Sequence, residues 1–127
     1  MNSRKIMVID DEKIVGDMAK LSLEQEGYHV ETFLNAEPAL KRMQEDKFDV
    51  VVTDYKMKGI DGMEVLRTVK NLYPQTQVIM ITAFANLDAA IEALRRDVHD
   101  FFPKPVKIKE LKASIKRALE KQSSQTG

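Results

Sequence analysis

A doubly wound α/β fold follows from three features of the sequence. Short runs rich in β-branched residues alternate with amphipathic stretches five times along 127 residues. Two of the runs, FDVVVTD at 48–54 and TQVIMIT at 76–82, are almost continuously apolar, as strands covered on both faces are. Strict alternation of the two element types implies a parallel sheet with helices on both sides, joined by right-handed crossovers. The length suits one domain around one core.

The elements can be justified in order. The first strand, 5–10, is the run Ile6-Met7-Val8-Ile9, and it ends in Asp10-Asp11-Glu12. The first helix spans 13–26 and is stopped by Gly27. A strand at 28–33 follows, then a helix at 36–46 with Asn35 at its N-cap and Pro38 in the first turn, where proline is tolerated. The third strand covers 48–53 and the third helix 62–72. The fourth strand covers 76–82, and the fourth helix, 87–97, has Asn86 or Asp88 as its cap. The last pair is a strand at 99–102 and a helix at 107–121. Residues 1–121 thus make one domain, and the polar residues 122–127 are expected to be a disordered tail.

Composition narrows the function. Twenty basic and twenty acidic side chains leave a formal net charge of zero, which argues against binding nucleic acid or membrane through bulk charge. There is no Cys, hence no disulfide, thiolate metal site or thiol nucleophile. No apolar stretch approaches the length needed to cross a membrane or to form a signal-peptide core, so a cytoplasmic protein is expected. His29 and His99 lack triad partners and metal-ligand spacing, and exposed, inert positions are expected for both. The seven Met read as gap-filling core.

Ligands of open parallel sheets bind beyond the carboxyl ends of the strands. Asp10-Asp11-Glu12, Asp54, Thr82 and Lys104 stand there, after the first, third, fourth and fifth strands. Adjacent carboxylates need a cation, and oxygen ligands suit Mg²⁺, which completes its shell with water and phosphate oxygens. A lysine and a hydroxyl beside it are donors for a phosphoryl group, and an aspartate can itself carry one. No G-x-x-x-x-G-K-[ST] or G-x-G-x-x-G run occurs, so a nucleotide donor is not expected. Glu12 reads as charge complement to the start of the first helix rather than as a ligand.

Taken together and in this order, Asp10-Asp11, Asp54, Thr82 and Lys104-Pro105 closely resemble the receiver domain of two-component response regulators. VIDDEK, VVVTDYKMKGIDGMEVL, VIMITAF and DFFPKPVKIKEL all read as receiver segments, and the resemblance runs from Lys5 to about Leu119. It implies a flavodoxin-like sheet in the order 2-1-3-4-5 and a signalling switch rather than an enzyme in the usual sense. Asp54 would be the phosphoacceptor. Asp11, Asp54 and the backbone carbonyl of Lys56 would ligate Mg²⁺, with Asp10 acting through water. Lys104 and Thr82 would hold phosphoryl oxygens, and Lys104–Pro105 would be a cis peptide bond. Thr82 and Phe101 would form the switch, although Phe101 reads equally well as a core residue. The implied partners are a histidine kinase or histidine phosphotransfer protein, and a second copy through the fourth helix, fifth strand and fifth helix.

Three positions depart from the pattern: Asp97, where glycine is frequent, Phe101, which lacks the commoner tyrosine's hydroxyl, and Tyr55-Lys56 after the acceptor. On the first helix, Val15, Ala19, Ser22, Leu23 and Glu26 match the family's inward stripe. Ile14, Met18 and Leu21 form an adjoining stripe, either a widened core face or, with Pro105 and Val106, a docking face for the phosphodonor. Two other classes fit the fold less well. An aspartyl-intermediate Mg²⁺ phosphatase would carry Asp-x-Asp and a cap, and a flavodoxin-like carrier would not place DDEK against a flavin phosphate.

Overall fold

The computed structural model describes residues 3–83 and 87–126. Strand β1 (Lys5–Ile9) is followed by α1 (Lys13–Glu24), β2 (His29–Phe33), α2 (Ala36–Glu45) and β3 (Val50–Asp54). Then come α3 (Gly62–Leu72), β4 (Gln77–Thr82), α4 (Leu87–Arg95), β5 (Asp100–Pro103) and α5 (Ile108–Thr126). All strand pairings are parallel, in the order β2-β1-β3-β4-β5, the expected topology.

Alternation along the central strands assigns the two layers. Met7, Ile9, Val51, Val78 and Met80 point to one side, against Ala39 and Met43 of α2, Leu66 and Val69 of α3 and Ala93 of α4. Ile6, Val8, Val52, Ile79 and Ile81 point to the other, against Ala19 and Leu23 of α1 and Leu111 and Ile115 of α5. Burial on both faces is why β3 and β4 carry no polar alternation.

Helix ends follow local chemistry. Asp61 caps α3, its carboxylate accepting from the Glu64 N–H at 3.0 Å, and this D-x-x-E signal is readable in the sequence. Asn35 occupies the α2 N-cap without a side-chain bond to the helix. Asp97 has φ 63°, the left-handed conformation anticipated where glycine is frequent. Asp88 lies in the first turn of α4, while Asn86 lies outside the described residues. The Lys104–Pro105 peptide bond is cis.

Two expectations are corrected. The tail expected from residue 122 onward is helical through Thr126. Gln122 is buried there, accepting from Arg4 at 3.1 Å and donating to the Asp49 and Gln75 carbonyls at 3.3 Å each. Those bonds fasten the last helix under the amino ends of the strands, so its polar composition misleads. His99 is not exposed: its side chain is 11% accessible, its Nε2 lies 3.1 Å from the Ser114 carbonyl, and burial pushes its pKa down.

One edge of the sheet yields a pH prediction. Arg42 of α2 donates to Glu31 of β2 from Nε at 2.8 Å and from NH2 at 3.0 Å, and its guanidinium covers the Phe48 ring at 5.5 Å. The Arg42 hydrogen bond holds the Glu31 carboxyl down at about 2, against an ordinary 4.5. A depressed carboxyl contributes stability fully above its unfolded pKa and loses it as pH falls through the folded one. Arg42→Ala is therefore expected to cost about 1–2 kcal/mol at neutral pH and to flatten the acid limb of a stability–pH curve between the two values.

Candidate functional site

The carboxyl ends of β1, β3, β4 and β5 meet at one rim. Register puts Asp54 opposite Ile81, and Thr82 opposite Pro103. Two backbone bonds lock the rim: Tyr55 N–H to the Ile81 carbonyl at 3.2 Å, and Lys104 N–H to the Thr82 carbonyl at 2.8 Å. Asp10 and Asp54 are almost fully buried, as is Thr82. These positions cannot be solvated turn residues, and burying carboxylates so close together demands compensation.

Lys104 supplies it. Its Nζ lies 2.9 Å from Asp10 Oδ2, 2.9 Å from Glu12 Oε1 and 3.0 Å from Asp54 Oδ2. Burial works against the ammonium charge, but the three carboxylates outweigh it and hold its pKa above the usual lysine value. For Asp54, burial pushes the carboxyl up, the Lys104 hydrogen bond pulls it down, and the charges of Asp10 and Asp11 push it up again; the net shift is upward. By count of charges, one lysine faces the four carboxylates of Asp10, Asp11, Glu12 and Asp54.

The residues present fit a hard divalent cation. Asp10, Asp11 and Glu12 offer carboxylate oxygens within 4.8 Å of one another. The Oδ1 of Asp10 accepts from the Glu12 N–H at 2.9 Å. Its Oδ2 is buried and takes no well-aligned hydrogen bond, only the ion pair with Lys104. A buried acceptor left so poorly satisfied suits a site completed by a cation and its waters. Asp54 joins this trio through Lys104, and Lys56 is exposed in the loop two residues beyond Asp54.

Two functional features escape the sequence reading. Glu12 stands at the N-cap of α1 but makes no side-chain bond to the helix; its carboxylate turns to Lys104 instead. Gly62 opens α3 directly under the acceptor. A Cβ there would sit 2.3 Å from the Asp54 carbonyl oxygen and 2.8 Å from the Tyr55 Cα, and the Gly62 N–H donates to the Tyr55 carbonyl at 2.7 Å. Only glycine lets the helix start close enough to hold the Asp54–Tyr55 backbone.

The remaining predicted residues separate. Phe101 is half-buried against the core on the α2–α4 side. Ile14, Met18 and Leu21 are 67%, 63% and 65% accessible, so the widened-core reading of that stripe fails. Beside it runs an open apolar groove of about 570 Å³ between α1 and α5, lined by Val15, Met18, Pro105, Val106 and Ile108 and ending at Glu12 and Lys104.

The geometry agrees with the comparisons. The family model described as the response regulator receiver domain matches residues 6–116. The chain belongs to this family. The receiver is 33% identical over 119 residues to the DNA-binding transcriptional regulator NtrC of Proteus hauseri, covering 94% of this chain and 25% of that one. It thus spans about a quarter of the length of the curated relatives it matches. A CheY-like receiver domain protein from Methanospirillum hungatei superposes with a TM-score of 0.94 at 29% identity, covering 98% of this chain and 99% of that one. The beryllofluoride-activated NtrC4 receiver domain dimer superposes at 0.88 with 31% identity, covering 93% of this receiver and 98% of that chain. Among the described residues, no helix of this receiver is long and apolar enough to cross a membrane.

Proposed function

We propose that this receiver takes a phosphoryl group onto Asp54 from the phosphohistidine of a histidine kinase or phosphotransfer protein, and that the modified domain switches an output. The observation that carries the reading is Lys104 Nζ, 3.0 Å from a buried Asp54 carboxylate and flanked by the Asp10–Asp11–Glu12 trio. An Asp54 oxygen forms the new P–O bond as the P–N bond to the donor imidazole breaks. The bonding pair leaves on that nitrogen, which takes a proton. Lys104 stabilises charge on the transferring oxygens, and the Gly62 contact fixes the acceptor backbone in line. Asp11, Asp54 and the Lys56 carbonyl would hold Mg²⁺, with Asp10 acting through water. When bound, the ion would supply the positive charge that one lysine does not.

The same residues give a metal prediction. Binding that favours the folded state raises the melting temperature by mass action. Millimolar Mg²⁺ should stabilise the unmutated protein, and Asp11→Ala should lose most of that shift in a thermal melt. A melt insensitive to Mg²⁺ would count against the site.

Ile14, Met18 and Leu21, continued by Pro105 and Val106 along the groove, are proposed to dock the phosphodonor protein. Ile14→Asp should slow transfer from the cognate donor about tenfold, the effect of losing one apolar anchor. Labelling by acetyl phosphate, which needs no docking, should stay within about twofold in the same protein. Rates that fall together would reject the docking face.

Readout is assigned to Thr82 and Phe101. In this reading the Thr82 hydroxyl donates to a phosphoryl oxygen, and Phe101, which has no hydroxyl to latch it, follows by a change of rotamer. The face that then changes is α4, β5 and α5, with Arg95, Arg96, Asp97 and Lys107. Leu87 and Leu94 of α4 are 75% and 65% accessible, which suits a contact with a second copy, and the NtrC4 receiver is a dimer in its beryllofluoride-activated form.

A further inference from the structure

We infer that Glu12 is an internal placeholder for the phosphoryl group: its carboxylate occupies Lys104 until a phosphoryl oxygen on Asp54 displaces it. The inference rests on the reading of Asp54 as acceptor. An ammonium group has three N–H donors, and three carboxylates lie 2.9, 2.9 and 3.0 Å from Lys104 Nζ. Two of them are hydrogen bonds, to Glu12 and Asp54, and the third is the ion pair with Asp10, so a phosphoryl oxygen approaching Lys104 competes with carboxylates already crowded around its ammonium group.

Accessibility decides which of them gives way. The Asp10 and Asp54 side chains are 0% and 6% accessible, so releasing either leaves a buried carboxylate without its cation. The Glu12 side chain is 58% accessible and returns to water on release. An exposed ion pair is weak, so the exchange costs little, yet it always opposes binding. Its release breaks no helix cap either, because Glu12 makes no side-chain bond to the α1 amino terminus where it stands. It thus acts as a positioning residue, holding the lysine extended over Asp54 and taxing the phosphorylated state.

Two substitutions separate this role from plain charge. Glu12→Gln removes the charge. Glu12→Asp keeps it but is one methylene shorter, and aspartate at an N-cap is drawn to the N–H groups of the first turn, away from Lys104. The readout is the midpoint of a beryllofluoride titration at Asp54, followed by amide NMR at a Mg²⁺ concentration saturating for each variant. Removing a competitor of this strength should tighten binding about two- to fivefold, and by a similar factor in both variants. Tightening in Glu12→Gln with Glu12→Asp like the parent would mean that only charge matters, and would overturn the inference. So would unchanged or weaker binding in both. If the unmutated protein binds no beryllofluoride, it is the reading of Asp54 itself that fails, and the inference falls with it.

Discussion

Asp54→Asn is expected to take up no phosphoryl group from acetyl phosphate, under conditions where the unmutated protein is labelled once and only with Mg²⁺ present. The amide keeps the shape of the side chain but is a far poorer nucleophile, and no carboxylate oxygen remains to form the acyl phosphate. The fold should survive. Asp54 is buried beside Asp10 and close enough to Asp11 for both to push its pKa up, so losing its charge removes like-charge repulsion. That gain offsets the lost hydrogen bond to Lys104 Nζ at 3.0 Å. The melting temperature measured without divalent cation should therefore be no lower than the parent's. Labelling that persists would move the acceptor role to another carboxylate, with the exposed Asp11 the next candidate.

Gly62→Ala should be the most damaging single methyl in the rim. Its Cβ would meet backbone, the Asp54 carbonyl oxygen at 2.3 Å and the Tyr55 Cα at 2.8 Å, so no side chain can rotate away to relieve it. Either the start of α3 or the end of β3 must move. Overpacking of this kind costs about 3 kcal/mol or more, while the helix-propensity gain of alanine over glycine returns at most about 1 kcal/mol. A net loss of about 2 kcal/mol corresponds to a melting temperature lower by about 6–12 °C in a domain of this size. Because the displaced backbone carries Asp54, the acetyl-phosphate labelling rate should fall as well. A parent-like melt with parent-like labelling would show that the close approach is not structural.

The strands were legible because their physics is local. Val50 to Val52 and Val78 to Ile81 are apolar on both faces of the sheet, and a continuous apolar run suits a strand covered on both sides. Asp10, Asp54, Thr82 and Lys104 were legible because the topology brings strand ends together, whatever the intervening helices do. What stayed hidden depends on distance in three dimensions. Nothing in DDEK says that Glu12 will turn to a lysine 92 residues away rather than to its own helix. Gly62 reads as an ordinary first residue of the third helix until the separation from the Asp54 carbonyl is known. Gln122 sits in a polar stretch whose composition suggests a free tail, yet its amide finds partners at the far end of the sheet. His99 looked exposed because strand-edge position carries no information about the α5 turn packed over it.

The central claim is that the phosphoryl group sits on Asp54, and it can be located directly. An acyl phosphate is reduced by borohydride to the alcohol, which converts an aspartyl phosphate into homoserine and leaves free carboxylates untouched. The protein should be labelled with acetyl phosphate and Mg²⁺, reduced, digested and sequenced by mass spectrometry. The predicted result is homoserine at position 54 alone, dependent on Mg²⁺ and absent from unlabelled protein. Homoserine at position 10 or 11, or a stable phosphate elsewhere with none at 54, would contradict it.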